Sequence, residues 1–80
     1  MEKVLETAIL EMGRKSGDQS FCPTQVAKWL YPQAWSHFMT DIHETMMEMY
    51  RDGRISVCQD GKEIDPKSMP EGPVRIKVLR

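Results

Sequence analysis

Four side chains in this sequence have the chemistry of a soft-metal site: Cys22, Cys58, His37 and His43. A structural zinc needs four tetrahedral ligands, which proteins usually supply as closely spaced pairs. The two cysteines form no CxxC and lie 36 positions apart. The histidines are six apart on a predicted helix, about 240° round from one another at about 100° per residue, so they face different sides. The spacing predicts two free thiols and two surface or boundary imidazoles, with no metal. Cys22 does sit at a predicted helix start, where a thiol pKa falls. Nucleophilic chemistry would also need an orienting base and oxyanion donors, and the sequence offers none that can be identified. Asp41, Glu44 and Glu48 pair carboxylates at i, i+3 and i+4 on one helix face. That pattern fits a solvated face, its repulsion partly relieved by Arg51, better than an acid–base pair flanking a cleft. Gly13 and Gly17 lack the Lys-Ser/Thr of a phosphate loop. The expectation is a protein with no catalytic residues and no cofactor, and so not an enzyme.

Composition points the same way. Eighty residues form one small domain over residues 1–80, with 11 cations against 12 carboxylates and a net charge of −1. A chain of this size buries only roughly 60% of its unfolded surface, which leaves little room for a deep catalytic cleft. Hydrophobic residues at 40% and charged ones at 29% describe a folded chain rather than a disordered one. A near-neutral balance excludes a binder that works by bulk positive charge. The start, Met1-Glu2-Lys3, runs directly into a charged amphipathic stretch with no signal-peptide h-region. Apolar runs such as Trp29-Leu30-Tyr31 are far short of a membrane span. Sparse cysteines suit a reducing compartment, so the expected setting is cytoplasmic, away from membranes.

The elements that position these residues follow from periodicity. Leu5, Ala8, Ile9 and Met12 recur at helical spacing. Glutamates 2, 6 and 11 in the early turns and Arg14 and Lys15 in the last match the helix dipole. Residues 16–20 read as a loop. Phe21-Cys22-Pro23-Thr24 reads as a second helix entry, with Pro23 at its first position and Phe21 stapled onto Val26. Val26, Ala27 and Leu30 give that helix an apolar face, and Tyr31-Pro32 ends it. A third helix is predicted from Trp35 to Asp52, capped at Gly53. Its stripe of Trp35, Phe38, Met39, Ile42, Met46, Met49 and Tyr50 lies within an arc of about 120°. Met47 falls outside that arc, on the outer flank with Thr40, and is expected to be exposed where a partner docks. Beyond Gly53 the period changes to two: Ile55 and Val57 alternate in one strand and Val74, Ile76 and Val78 in another. The two are expected to pair antiparallel across a long connection that begins at Asp60-Gly61. The expected core is Leu5, Ile9, Met12, Val26, Leu30, Met39, Ile42, Met46 and Met49, closed by Ile55, Val57, Val74, Ile76 and Val78.

Three helices followed by a two-stranded antiparallel wing make an α+β chain with the element order of a winged helix-turn-helix. Phe21-Cys22-Pro23-Thr24-Gln25-Val26-Ala27, Trp35 with Met39, Asp52-Gly53-Arg54-Ile55, Gln59-Asp60-Gly61, Ile64-Asp65-Pro66 and Gly72-Pro73-Val74-Arg75-Ile76 carry a further signal. Together they resemble a small bacterial family known only as a domain of unknown function. The resemblance spans nearly the whole chain and implies a winged-helix fold and a bacterial cytoplasmic origin. It implies no activity. Near positions 36 and 43 the family pattern carries arginines, where this chain has Ser36 and His43, so the resemblance implies a less cationic recognition helix here.

Charge is unevenly spread. Residues 54–80 hold six cations (Arg54, Lys62, Lys67, Arg75, Lys77 and Arg80) against four carboxylates, net +2, whereas residues 21–53 are net −2. Cations on a wing suit contact with a phosphate backbone. They equally suit the ordinary outward face of a hairpin, where lysines discourage edge pairing. Two functions therefore stand open. One is a winged-helix module that binds double-stranded DNA weakly, with Ser36, His37 and Thr40 of helix three in the groove and Lys62, Lys67, Arg75 and Lys77 on phosphates. Its difficulty is that Asp41, Glu44 and Glu48 outnumber Arg51 on the same helix. The other is a protein-interaction module on the same scaffold, binding a partner or itself through the Met47–Glu48 face of helix three or through helix one.

Overall fold

The computed structural model describes residues 2–17 and 19–79. Asp18 of the first loop and Arg80 of the C-terminal cations lie outside the described residues. The chain runs through α1 (Glu2–Ser16), α2 (Pro23–Leu30), a 3₁₀ turn (Trp35–Phe38), α3 (Met39–Arg51), β1 (Ile55–Gln59), β2 (Lys62–Glu63) and β3 (Arg75–Val78). It is an α+β arrangement of three helices and a three-stranded antiparallel sheet, in the order β2-β1-β3.

Local chemistry sets the boundaries. Pro23 opens α2 with Cys22 as N-cap, and the Cys22 N–H donates to Gln25 Oε1 at 2.8 Å. This contact satisfies a backbone donor at the helix entrance. Phe21 and Val26, on either side of that entrance, are both buried. Gly53 ends α3 at φ 77°. Its N–H donates to Tyr50 O and that of Arg54 to Met49 O, each at 3.0 Å, the paired hydrogen bonds of a glycine-terminated helix.

The single helix expected from Trp35 to Asp52 is divided. Residues Trp35–Phe38 wind as a 3₁₀ turn, with the His37 N–H on Ala34 O at 3.0 Å. The tighter winding lets Phe38 stack on Tyr31, ring centroids 3.9 Å apart, which closes the turn between α2 and α3.

The sheet also differs from the two expected strands. Asp60 and Gly61 both adopt positive φ, 55° and 82°, and such a pair matches the twist of a tight hairpin. The chain therefore reverses at once. Glu63 pairs with Cys58 and Lys62 with Gln59 before the long connection departs. Gln59 Nε2 then holds the returning connection at the carbonyls of Glu71 and Pro73. β3 pairs with β1 as expected, with Ile76 opposite Val57 and Lys77 opposite Ser56. On its other edge Phe21 forms an isolated bridge with Ile76, by hydrogen bonds of 2.9 and 2.6 Å.

Two apolar clusters form the core. Ile9, Phe21, Val26, Met46, Met47, Met49, Ile55, Val57 and Ile76 are fully buried in the larger, while Leu5, Ala27 and Ile42 meet Trp35, Phe38 and Met39 in the smaller. Met12, Leu30, Met39 and Val78 of the expected core are only partly buried. Met47 is a correction: it is 1% exposed and cannot dock a partner. α3 contacts α1, α2 and β1, so its buried arc is wider than a stripe facing one layer. Among the described residues no helix is long and apolar enough to cross a membrane.

Candidate functional site

Ser36 and His37 lie on the 3₁₀ turn and Thr40 in the first turn of α3, all exposed. Farther along the same surface Asp41, Glu44, Glu48 and Arg51 are also exposed. Three carboxylates against one guanidinium leave this face net negative. Arg51 is itself engaged, with Nη1 donating to Pro66 O at 3.3 Å.

The cations of the C-terminal third fall into different situations. In β3 the pattern Val74, Ile76 buried and Arg75, Lys77 exposed places both cations on the outer face, as strand alternation requires. Ser56 and Cys58 of β1 are their register partners there. Arg75 is tethered: Nε donates to Ser20 Oγ at 3.0 Å and Nη2 to Ser20 O at 2.7 Å. Two of its donors thus lock the segment before α2 onto the sheet. Arg54 is ion-paired with Glu6 of α1. Lys77, Lys62 and Lys67 are exposed, and none of the three has an ion-pair partner among the described residues. Lys62 sits opposite Gln59, in phase with Ile55 and Val57, so it stands off the sheet face opposite to Lys77. The fold brings Arg75 and Lys77 together and holds Lys62, on β2, and Lys67, on the connection, apart from them.

Cys22 and Cys58 are both free and half-buried. His37 is exposed, whereas His43 is half-buried on α3, and burial holds its imidazole pKa below the ordinary 6.5. No group of three or more His, Cys, Asp or Glu among the described residues is placed to hold a metal ion. The Tyr50 hydroxyl donates to Ile64 O at 2.6 Å and fastens the connection onto α3. Burial, and then the charges of Glu63, Cys58 and Asp65, push its pKa up.

The surface feature that residue types alone did not single out lies between α1 and α2. A cleft of about 350 Å³ is lined by Val4, Thr7, Ala8 and Glu11 on one side and Trp29 and Leu30 on the other, with Lys3 at its end. Val4 is 52% and Trp29 43% exposed. Lys15 Nζ lies 4.7 Å from the Trp29 ring and Lys28 Nζ 4.8 Å from that of Trp35, contacts that leave the indoles accessible while covering part of each with charge. The sequence signal was Val4, which breaks the core stripe of α1, together with a tryptophan on the last turn of a short helix.

A family model described as a protein of unknown function (DUF3253) matches residues 2–79. A search of the curated proteins finds no match.

Proposed function

The chain belongs to the DUF3253 family, and on that premise we propose that it is a winged helix-turn-helix module that contacts the phosphates of duplex DNA weakly, through its C-terminal sheet. The reading rests on one observation: Arg75 and Lys77 share the outer face of β3 while their neighbours Val74 and Ile76 are buried. The fold is compatible with it. Phe21, between α1 and α2, bridges the outer edge of β3, whose other edge pairs with β1. α2, the turn and α3 then supply the helix-turn-helix, and β1, β3 and their connection supply the wing. α3 offers a duplex mainly carboxylates, so backbone contact by the wing carries the binding and base readout contributes little. A bacterial cytoplasm is the setting that goes with this reading.

Fluorescence anisotropy of labelled random duplex at low and moderate salt tests it. The expected result is non-specific binding with Kd on the order of 10⁻⁴–10⁻⁶ M at physiological salt, weakening steeply as salt rises. Absence of binding even at low salt overturns the reading and leaves the scaffold as a protein-interaction module.

A further inference from the structure

The cleft between α1 and α2 combines exposed apolar surface with charge placed in a self-complementary way. Lys3, Thr7 and Glu11 follow one another at i, i+4 and i+8 along α1, so they form one row, about 12 Å long at 1.5 Å per residue. The row has a cation at one end, a carboxylate at the other and a small neutral side chain at its midpoint. A twofold axis through Thr7, perpendicular to the helix, carries residue 3 of one copy to the level of residue 11 of the other. Lys3 of each copy then faces Glu11 of the other, at both ends at once.

The apolar residues obey the same operation. Residue 4 is carried to the level of residue 10, one position from Glu11. Trp29 stands toward that end of α1, since Lys15, one turn beyond Glu11, reaches the Trp29 ring. Val4 of one copy therefore meets Trp29 of the other, and the two most exposed apolar side chains of the helical layer, at 52% and 43%, cover each other. We infer that this face binds a second copy of the chain, as an isologous dimer with the two α1 helices antiparallel about Thr7. In such an interface residue i meets residue j and j meets i. The indole–valine contact supplies the apolar burial, and the Lys3–Glu11 pairs fix the register. Glu11 already accepts two hydrogen bonds from Arg14 Nη2 and one from Nε, which orient its carboxylate along the helix surface. The inference goes beyond phosphate binding and does not depend on it.

Sedimentation equilibrium of the full chain up to about 0.5 mM provides the test, because a contact built from a few side chains belongs to the small, weak end of specific interfaces. Reversible monomer–dimer behaviour is expected. Lys3→Glu and Glu11→Lys, each on an exposed or half-buried surface position, each create two like-charge contacts per dimer and should weaken association at least about tenfold. An equimolar mixture of the two variants restores opposite charges at both ends, so it should associate as tightly as wild type and only as heterodimers. Val4→Glu should abolish association in every combination, with the helical circular dichroism unchanged. A monomer throughout the concentration range, a dimer indifferent to the charge changes, or a mixture no tighter than the single variants would each overturn the proposal.

Discussion

Gly13 and Val78 meet where α1 crosses β3: a Cβ built on Gly13 would overlap Val78 Cγ2 and come within 2.8 Å of Val78 Cβ. Gly13 is buried inside α1 at an ordinary helical conformation, so the glycine serves close approach rather than backbone freedom. Alanine would gain about 1 kcal/mol of helix propensity at such a position. The overlap works against it, and overpacking costs typically about 1–3 kcal/mol. Gly13→Ala should therefore destabilise the domain in urea unfolding, despite its better propensity. Combining it with Val78→Ala should recover part of the stability, because the two changes share one contact. A Gly13→Ala variant more stable than wild type would show that α1 and β3 are not packed at this distance.

Met47 and Ile42 test the burial of α3 from two sides. Ile42 is fully buried in the smaller cluster and Met47 1% exposed in the larger. Each substitution to alanine should cost roughly 2–5 kcal/mol, a large part of a small domain's stability. Thermal melting decides between this and the one-faced helix expected from periodicity. A Met47→Ala variant that melts like wild type would return the residue to the surface.

This residue also shows where the sequence was legible and where it stopped being so. The three helices, the change to a two-residue period after Gly53 and the pairing of β1 with β3 were all readable, because each rests on local periodicity or a turn residue. Met47 was misread because a 3.6-residue stripe describes a helix packed on one layer, whereas α3 contacts α1, α2 and β1. β2 was missed because two residues carry no periodicity; its existence follows from the positive φ of both Asp60 and Gly61. Arg75 and Lys77 were placed correctly on the outer face, but no spacing rule foretold that Arg75 would be tied to Ser20, 55 positions away. The α1–α2 cleft depends on how two helices cross, a tertiary relationship with only the stray Val4 and a tryptophan near the end of a short helix to announce it.

The tether on Arg75 changes which cations report on duplex binding. Lys77→Glu with Lys62→Glu removes two cations, one on each face of the sheet, that make no ion pair among the described residues, and should weaken anisotropy binding with the fold intact. A single reversal, Lys77→Glu alone, should leave weaker binding whose salt slope is smaller by about 0.9 for each phosphate no longer neutralised. Glu44→Gln with Glu48→Gln relieves repulsion on α3 and should strengthen binding. Arg75→Glu should do more than weaken binding: without its two hydrogen bonds to Ser20, the segment before α2 loosens and amide exchange at Phe21 rises. If the lysine reversals leave affinity unchanged, the sheet does not contact DNA.

Tyr50→Phe isolates the bond that fastens the connection to α3. The hydroxyl's 2.6 Å hydrogen bond to Ile64 O is partly buried, and a bond of this kind contributes about 0.5–1.5 kcal/mol. Phenylalanine keeps the ring packing, so the destabilisation should fall in that range, with faster amide exchange between residues 64 and 73. Unchanged stability would mean that solvent replaces the hydroxyl without cost.

His43 gives the stability of the domain a pH dependence with a definite sign. Burial lowers its folded-state pKa below 6.5, and unfolding returns the imidazole to about its ordinary value. Well above about pH 6.5 the ring is neutral in both states and contributes no slope. As the pH falls through 6.5, the unfolded chain takes up the proton first, so the unfolded state binds more protons and stability declines. The decline ends once the pH is below the folded-state pKa, where both states are protonated. His43→Gln removes the titration at a half-buried position without adding charge. The stability difference between wild type and His43→Gln, from urea midpoints at about pH 7.5 and about pH 5, should therefore shift against wild type at the lower pH. Carboxylates common to both proteins cancel in that difference. A difference constant across the range would mean that the imidazole is as well solvated in the folded state as in the unfolded chain.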